Sequence, residues 1–256
     1  MSFLTTSPTI AVFERSLLLY KRLWRASVFG SLLLPVLTLI SIGIGVGGYV
    51  GDIDGVGYLA WITPGVLASV AFQIGVGEST YPVLGNFKWT RAFHAMAATP
   101  VRTVDMVGGQ LMWVLVRTEV AVVSFLAVTA LFGALRSPWS AVTPLICGLL
   151  AVAGAAPTTA FSAWIDNDGY FALVFRFVLI PSTLFAGVFF PVARLPAAMR
   201  PLAYLSPLWH AVELSRAATL GRPPPWPIPV HVGYLLAWAA AGIALAWYAF
   251  RRRLTR

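Results

Sequence analysis

Very little in this chain serves a soluble enzyme. Only 11% of its 256 residues are charged, against roughly a quarter in an ordinary soluble domain. Lysine occurs only at Lys21 and Lys88, in Tyr-Lys-Arg and Phe-Lys-Trp. A phosphate-binding loop needs a lysine after its glycine, so the chain is not expected to hydrolyse ATP alone. An HExxH pair, a GxSxG elbow and any Cys/His metal spacing are all missing, which removes the common hydrolase and metalloprotease signatures. The one cysteine, Cys147, sits in an apolar run and can form no internal disulfide. The amino-terminal stretch lacks a small-residue cleavage site, so it is expected to be retained.

What fills the chain instead is apolar. Hydrophobic residues make up 59% of it and the mean hydropathy is +0.81. Folded in water, such a chain would expose contiguous apolar patches that soluble monomers avoid. The formal charge of +9 does not form the stripe expected of a nucleic-acid binder. Its cations cluster beside apolar runs: Arg15, Lys21, Arg22 and Arg25 before the first, Arg251, Arg252, Arg253 and Arg256 after the last. That is the pattern of cytoplasmic anchors facing anionic lipid.

A spanning helix needs about 20 apolar residues. The runs predict an all-α polytopic membrane protein with six spans, at 29–50, 58–77, 104–132, 142–165, 171–190 and 232–250. The distribution of Lys and Arg places both termini in the cytosol, with Asp52 and Asp54 outside and Lys88, Arg91 and Arg102 inside. The basic residues of 191–228, including Arg194 and Arg216, count against that orientation.

Residues 10–25 carry Phe13, Leu17 and Trp24 at helical spacing against Lys21 and Arg22. They read as an interfacial amphipathic helix, or as a positively charged flank. Residues 86–99 read as a short cytosolic helix capped by Asn86 and ended before Pro100. Its Phe87, Trp89, Phe93 and Met96, set among Lys88, Arg91 and His94, need something to cover them unless the segment lies on headgroups. Prolines 191, 196, 201 and 207 cut the segment before the last span into pieces too short to cross, hence re-entrant or interfacial.

Charges at membrane depth are functional suspects: Glu78, Arg117, Glu119, Asp166 and Arg176. Arg117 and Glu119 lie well inside the third run. The expectation is a structural ion pair between Arg117 or Arg176 and Glu119 or Asp166. His210 and Glu213, one turn apart, read as an acid–base pair or as the polar face of a re-entrant helix.

Several segments together resemble the permease subunits of type-2 ABC exporters, and among them the NodJ-type nodulation-factor export permeases. They are Tyr58-Leu-Ala-Trp-Ile-Thr-Pro-Gly-Val-Leu67, Glu78, Trp89-Thr-Arg-Ala-Phe-His-Ala-Met-Ala-Ala-Thr-Pro100, Gly169-Tyr-Phe, Phe185-Ala-Gly-Val-Phe-Phe-Pro-Val192, Leu195-Pro196, Ser206-Pro-Leu-Trp-His210, Leu220-Gly-Arg-Pro223 and the Arg251-Arg-Arg-Leu ending. The resemblance implies a single transmembrane domain over 1–256, in a bacterial plasma membrane, that pairs with a second permease, expected as a homodimer. It further implies two ATP-binding subunits that hold ATP and Mg, since this chain carries no cofactor. It places a coupling helix on 86–99, with Phe87, Trp89, Phe93 and Met96 seated in the ATPase. It also places an outer gate on 191–228, reached through Phe189, Phe190 and Pro191, with broken helices at 195–205 and 208–220 that include Leu195, Pro196, Pro207, His210 and Glu213. The implied cargo is amphipathic or hydrophobic: a glycolipid, a lipo-oligosaccharide or a drug. The first, second and fifth runs, with Gly43, Gly45, Gly47, Gly48, Gly65, Gly75 and Gly77, are expected to line its path. A competing reading is a membrane-embedded enzyme acting on a lipid-linked substrate through Asp166, Asp168, His210 and Glu213.

Overall fold

The computed structural model of the chain describes residues 7–53 and 55–255, with the side chains of 22–32, 34, 35, 38, 39 and 42–44 outside that description. Nearly all of it is helix. The first helix, α1 (Pro8–Thr38), continues through a π-helical segment (Leu39–Val46) into α2 (Gly47–Val50). A two-residue hairpin, β1 (Asp52–Ile53) and β2 (Val56–Gly57), leads to α3 (Tyr58–Glu78). Two short helices follow, α4 (Tyr81–Lys88) and α5 (Ala92–Ala97), and then the long α6 (Thr103–Leu131) and α7 (Thr143–Trp164). The next run is α8 (Phe171–Leu173), a π-helical segment (Val174–Leu179) and α9 (Ile180–Phe185). The chain ends with α10 (Arg200–Leu205), α11 (Pro207–Leu220) and α12 (Ile228–Leu254). Among the described residues, five helical stretches are long and apolar enough to cross a membrane: Tyr58–Lys88, Thr103–Leu131, Pro138–Trp164, Asp168–Phe185 and Ile228–Leu254.

Helix α3 is the axis of the bundle. It is apolar on every side, with Ile62, Leu67, Ala68 and Ala71 fully buried, as a helix surrounded by protein should be. It packs on α6, α7 and α11. Small residues bring α3 and α7 together. A Cβ on Gly75 would sit 2.4 Å from the Ala151 carbonyl oxygen, and one on Gly65 would sit 2.8 Å from that of Val188. Helices α6 and α12 bury one side only. Met112, Val120 and Val123 on α6, and Leu236, Ile243 and Leu245 on α12, are exposed and form the lipid-facing surface of a membrane bundle.

Three expectations about the elements change. Residues 10–25 are not a separate interfacial helix, because α1 runs unbroken from Pro8 to Thr38. Its first turns dock on protein: Thr9 donates to Asp105 at 2.8 Å, Arg15 to Asn86 at 3.0 Å, and Val12 packs over Gly109. The stripe that meets the bundle is therefore Thr9, Val12 and Tyr20. Phe13 and Leu17 are half-buried beside it, Lys21 is exposed, and Arg22 and Trp24 lie outside the described side chains. Burial lowers the basicity of the Arg15 guanidinium below its ordinary value.

Second, 86–99 is not one helix. Asn86 lies inside α4, and Arg91, in the left-handed region at φ 49°, separates α4 from α5. Third, the fifth span is not a regular helix to 190. It widens into π-helix at Val174–Leu179, and α9 stops at Phe185. Gly187 at φ 76° then turns the chain, and Phe189 and Phe190 fall in irregular backbone held by the Tyr58 hydroxyl on the Phe189 carbonyl at 3.1 Å.

Candidate functional site

Polar and aromatic groups break the apolar bundle at three levels. At one end, α4, α5 and the last turn of α12 meet. Phe87, Phe93 and Phe250 form a triangle with ring centroids 4.7, 4.7 and 5.0 Å apart. Arg253 lies over Phe87 at 4.7 Å. Its Nη1 donates to the carbonyls of Ser162, Ala163 and Ile165 at 3.2, 3.1 and 2.7 Å, and its Nη2 to Asp166 at 3.0 Å. The carbonyls at the carboxyl end of α7 have no partner within their own helix; a cation there meets both their lone pairs and the negative end of the dipole. Lys88 donates to the Asp166 carbonyl at 2.9 Å. Beside this cluster opens a cleft of about 810 Å³ lined by Phe87, Lys88, Arg91, His94, Trp164 and Arg252, among others.

Phe87 and Phe93 were expected to wait for a partner protein, but they are 2% and 1% exposed and are satisfied inside the chain. What faces outward is Trp89, at 59% exposure, with Lys88, Arg91 and His94; Met96 is half-buried. The exposed face of this end is therefore more basic and less aromatic than the sequence implies.

The middle level is built on Glu78, the last residue of α3. Its carboxylate accepts from Trp113 Nε1 at 2.7 Å and pairs with Arg117, both on α6. Gln110, one turn earlier on α6, donates to the Glu78 carbonyl at 3.0 Å. Tyr20 from α1 meets Trp113 edge-on at 5.2 Å and lies 5.9 Å from the Arg117 guanidinium. Just after Glu78 the helix bends at Ser79–Thr80, and the Ser79 carbonyl accepts from Ser162 on α7 at 2.6 Å.

The expected pairings are thereby redistributed. Arg117 pairs with Glu78, and Asp166 with Arg253. Glu119 is half-buried against Gly148 of α7, without an ion pair among the described residues. Arg176 is exposed on the fifth span.

The far end carries α10 and α11. Glu213 and Arg216 pair at 2.6 Å; Arg216 also donates to the Gly187 carbonyl at 2.8 Å and stacks on Trp61 of α3 at 4.0 Å. His210 is not paired with Glu213. Its Nδ1 is 3.0 Å from His231 Nδ1 on α12, and its Nε2 is 3.0 Å from the Tyr204 carbonyl. The second contact puts a proton on Nε2, so neutral His210 accepts from His231 through Nδ1. Burial, ahead of the opposing Tyr204 bond, lowers the His210 pKa. Leu195 is buried, and Pro207 starts α11 at its first helical position. Pro191 and Pro196 flank a short 3-10 turn, Val192–Arg194. Trp61, Tyr204, Trp209 and Trp226 surround a pocket of about 330 Å³.

His231 and Arg253 stand at opposite ends of α12, 22 residues apart, or about 33 Å along a helix. Asp166 belongs to the Arg253 end and His210 to the His231 end. These groups therefore form no common site, and the embedded-enzyme reading built on them fails.

The model of the ABC-2 type transporter family matches residues 8–220. This chain belongs to that family. The permease is 30% identical over 250 residues to Nodulation protein J of Rhizobium leguminosarum bv. viciae, covering 96% of this chain and 95% of the relative. Nodulation protein J of Rhizobium meliloti (strain 1021) is also 30% identical, over 96% of this chain and 93% of its own. The inner membrane transport permease YadH of Escherichia coli (strain K12) is 24% identical over 91% and 90%. The permease is thus the membrane subunit of an ABC transporter, a multi-pass protein of the bacterial inner membrane.

Proposed function

We propose that this ABC-2 permease is half of an ATP-driven exporter that moves an amphipathic or hydrophobic cargo, such as a glycolipid, lipo-oligosaccharide or drug, out of the cytoplasm. Two ATP-binding subunits hold ATP and Mg and dock on the end of the bundle made by α4, α5 and the last turn of α12. A second copy of the permease completes the pathway, and both termini lie in the cytosol. The observation that carries this reading is the basic cleft lined by the exposed Lys88, Arg91 and His94, with Trp89 exposed between Lys88 and Arg91 in sequence.

The geometry supplies a transmission route. The Phe87–Phe93–Phe250 triangle ties α4 and α5 to α12, and Lys88 and Arg253 tie both to the end of α7. A push on α5 therefore moves α4, which meets α3 at the Ser79–Thr80 bend, directly beside the Glu78–Arg117 pair. Packed elements with two discrete arrangements pass such shifts as rigid bodies. The far-end helices α10 and α11, anchored to α3 through Arg216 and Trp61, form the outer gate.

The test is co-purification of the ATP-binding subunit. Trp89→Asp with Arg91→Glu is expected to abolish it while leaving the detergent-solubilised permease monodisperse. Retention of the ATPase at wild-type stoichiometry by that double variant refutes the assignment of the docking face.

A further inference from the structure

The fifth span carries a charge that the described residues leave unmatched. Arg176 lies eight residues after Asp168 in the span Asp168–Phe185, more than two turns from either end. It is exposed, and among the described residues it makes no hydrogen bond, ion pair or ring contact. The acidic groups expected to pair with it are occupied elsewhere or packed on another helix: Asp166 holds Arg253 and Glu119 sits against Gly148 of α7, while Glu78 holds Arg117. An arginine at the centre of a span faces the bundle, a partner or water, because a guanidinium left in lipid is costly.

Two further observations bear on what it faces. Arg176 falls within the π-helical segment Val174–Leu179, a distortion that concentrates at functional sites. The span also stands off from the bundle. Leu173, Val174, Phe177 and Val178 line an apolar cavity of about 420 Å³ shared with Phe72 of α3 and Trp238 of α12, and Arg176 is not part of that lining. The apolar side of the span is thus turned to its own chain, while the guanidinium is left for something else. In a two-fold pair of permeases meeting on this face, two Arg176 side chains would repel unless an anion stood between them.

We propose that Arg176 binds the anionic headgroup of an amphiphile, so that the cargo of this permease carries a phosphate or carboxylate. This deepens the export reading and rests on it. A guanidinium holds such an oxyanion by paired, charge-assisted hydrogen bonds.

The experiment uses the full chain in mild detergent, with native mass spectrometry of bound phosphatidylglycerol and phosphatidylcholine. Wild type and Arg176→Lys are expected to retain phosphatidylglycerol, Arg176→Gln to bind it about tenfold more weakly, and all three to bind phosphatidylcholine alike. Dodecyl phosphate should displace the bound phosphatidylglycerol where inorganic phosphate does not. Unchanged phosphatidylglycerol binding in Arg176→Gln means a merely snorkelled arginine and overturns the site; displacement by inorganic phosphate alone overturns the amphiphile. If Arg176→Gln fails to fold, wild type is photo-crosslinked with a photoactivatable phosphatidylglycerol. Adducts within 168–185 support the site, and adducts confined elsewhere overturn it. Co-purification of the ATP-binding subunit with Arg176→Gln separates loss of this site from failure of the export reading.

Discussion

Glu78 gathers its polar contacts from a single helix, α6, through Gln110, Trp113 and Arg117. Removing one member of such a pair strands the other, which costs about 3–5 kcal/mol for a fully buried ion pair. Because both side chains here keep some exposure, at 15% for Glu78 and 24% for Arg117, Arg117→Ala should fall below that range while still lowering the thermal midpoint in detergent clearly. The double swap Glu78→Arg with Arg117→Glu should recover only part of the loss, since Trp113 would then aim its indole N–H at a cation. A swap that restores the midpoint completely would show that Trp113 does not contribute. Trp113→Phe removes one hydrogen bond to a charged group, worth about 1.5–3 kcal/mol, and keeps the ring against Tyr20. At the far end, His210 has a folded pKa below its ordinary 6.5. The unfolded chain therefore takes up the proton first, so stability is full above that value and falls as the pH drops beneath it. A thermal midpoint that declines as the pH falls below about 6.5 in wild type, and less so in His210→Gln, is the expected outcome.

Among the elements, the α3–α7 contact tolerates least. Gly75→Val would drive a branched side chain into the Ala151 backbone, and overpacking of this kind costs about 1–3 kcal/mol; the permease should lose yield and thermal midpoint together. Phe250→Ala opens the aromatic triangle and costs about 3–5 kcal/mol as a buried ring deletion. It should also make α4–α5 more susceptible to limited proteolysis near Arg91. Five stretches long and apolar enough to cross a membrane were legible from length and hydropathy, while many side chains of the first predicted span, 29–50, lie outside the described residues, and the prolines at 201 and 207 announced α10 and α11. Pairing was not legible. Arg117 finds Glu78 across 39 positions, and Phe87 finds Phe250 on the last helix. Helical periodicity says which residues share a face and nothing of which distant face they meet. The same limit hid the docking of α1. Its amphipathic pattern was visible, but Thr9, Val12 and Tyr20 were set against α6, and Arg15 against Asn86 of α4, only by tertiary contact. The π-helical segment around Arg176 has no residue signature of its own.

For the whole molecule, the two ends differ in chemistry as well as position. One has Lys88, Arg91, Arg252 and Arg253 around an open cleft, and the other sets Arg216 and Arg222 among the aromatic rings of Trp61, Tyr204, Trp209 and Trp226 beside the proline run 223–225. In a Cys147→Ser background, Arg252→Cys should react with a membrane-impermeant maleimide only in inverted vesicles, and Pro224→Cys only in intact cells stripped of their outer membrane. Labelling of both from the same side would break the proposed orientation, and with it the assignment of the docking end.

The Ser79–Thr80 bend gives this architecture its mechanical character. The Ser162 hydroxyl of α7 holds the Ser79 carbonyl, so the stretch from Tyr58 to Lys88 is fastened to α7 about two thirds of the way along, where α3 gives way to α4. If the proposed transmission route holds, a short stroke at the Lys88 tip would turn about that fastening and reappear, enlarged and reversed, at the Tyr58 tip.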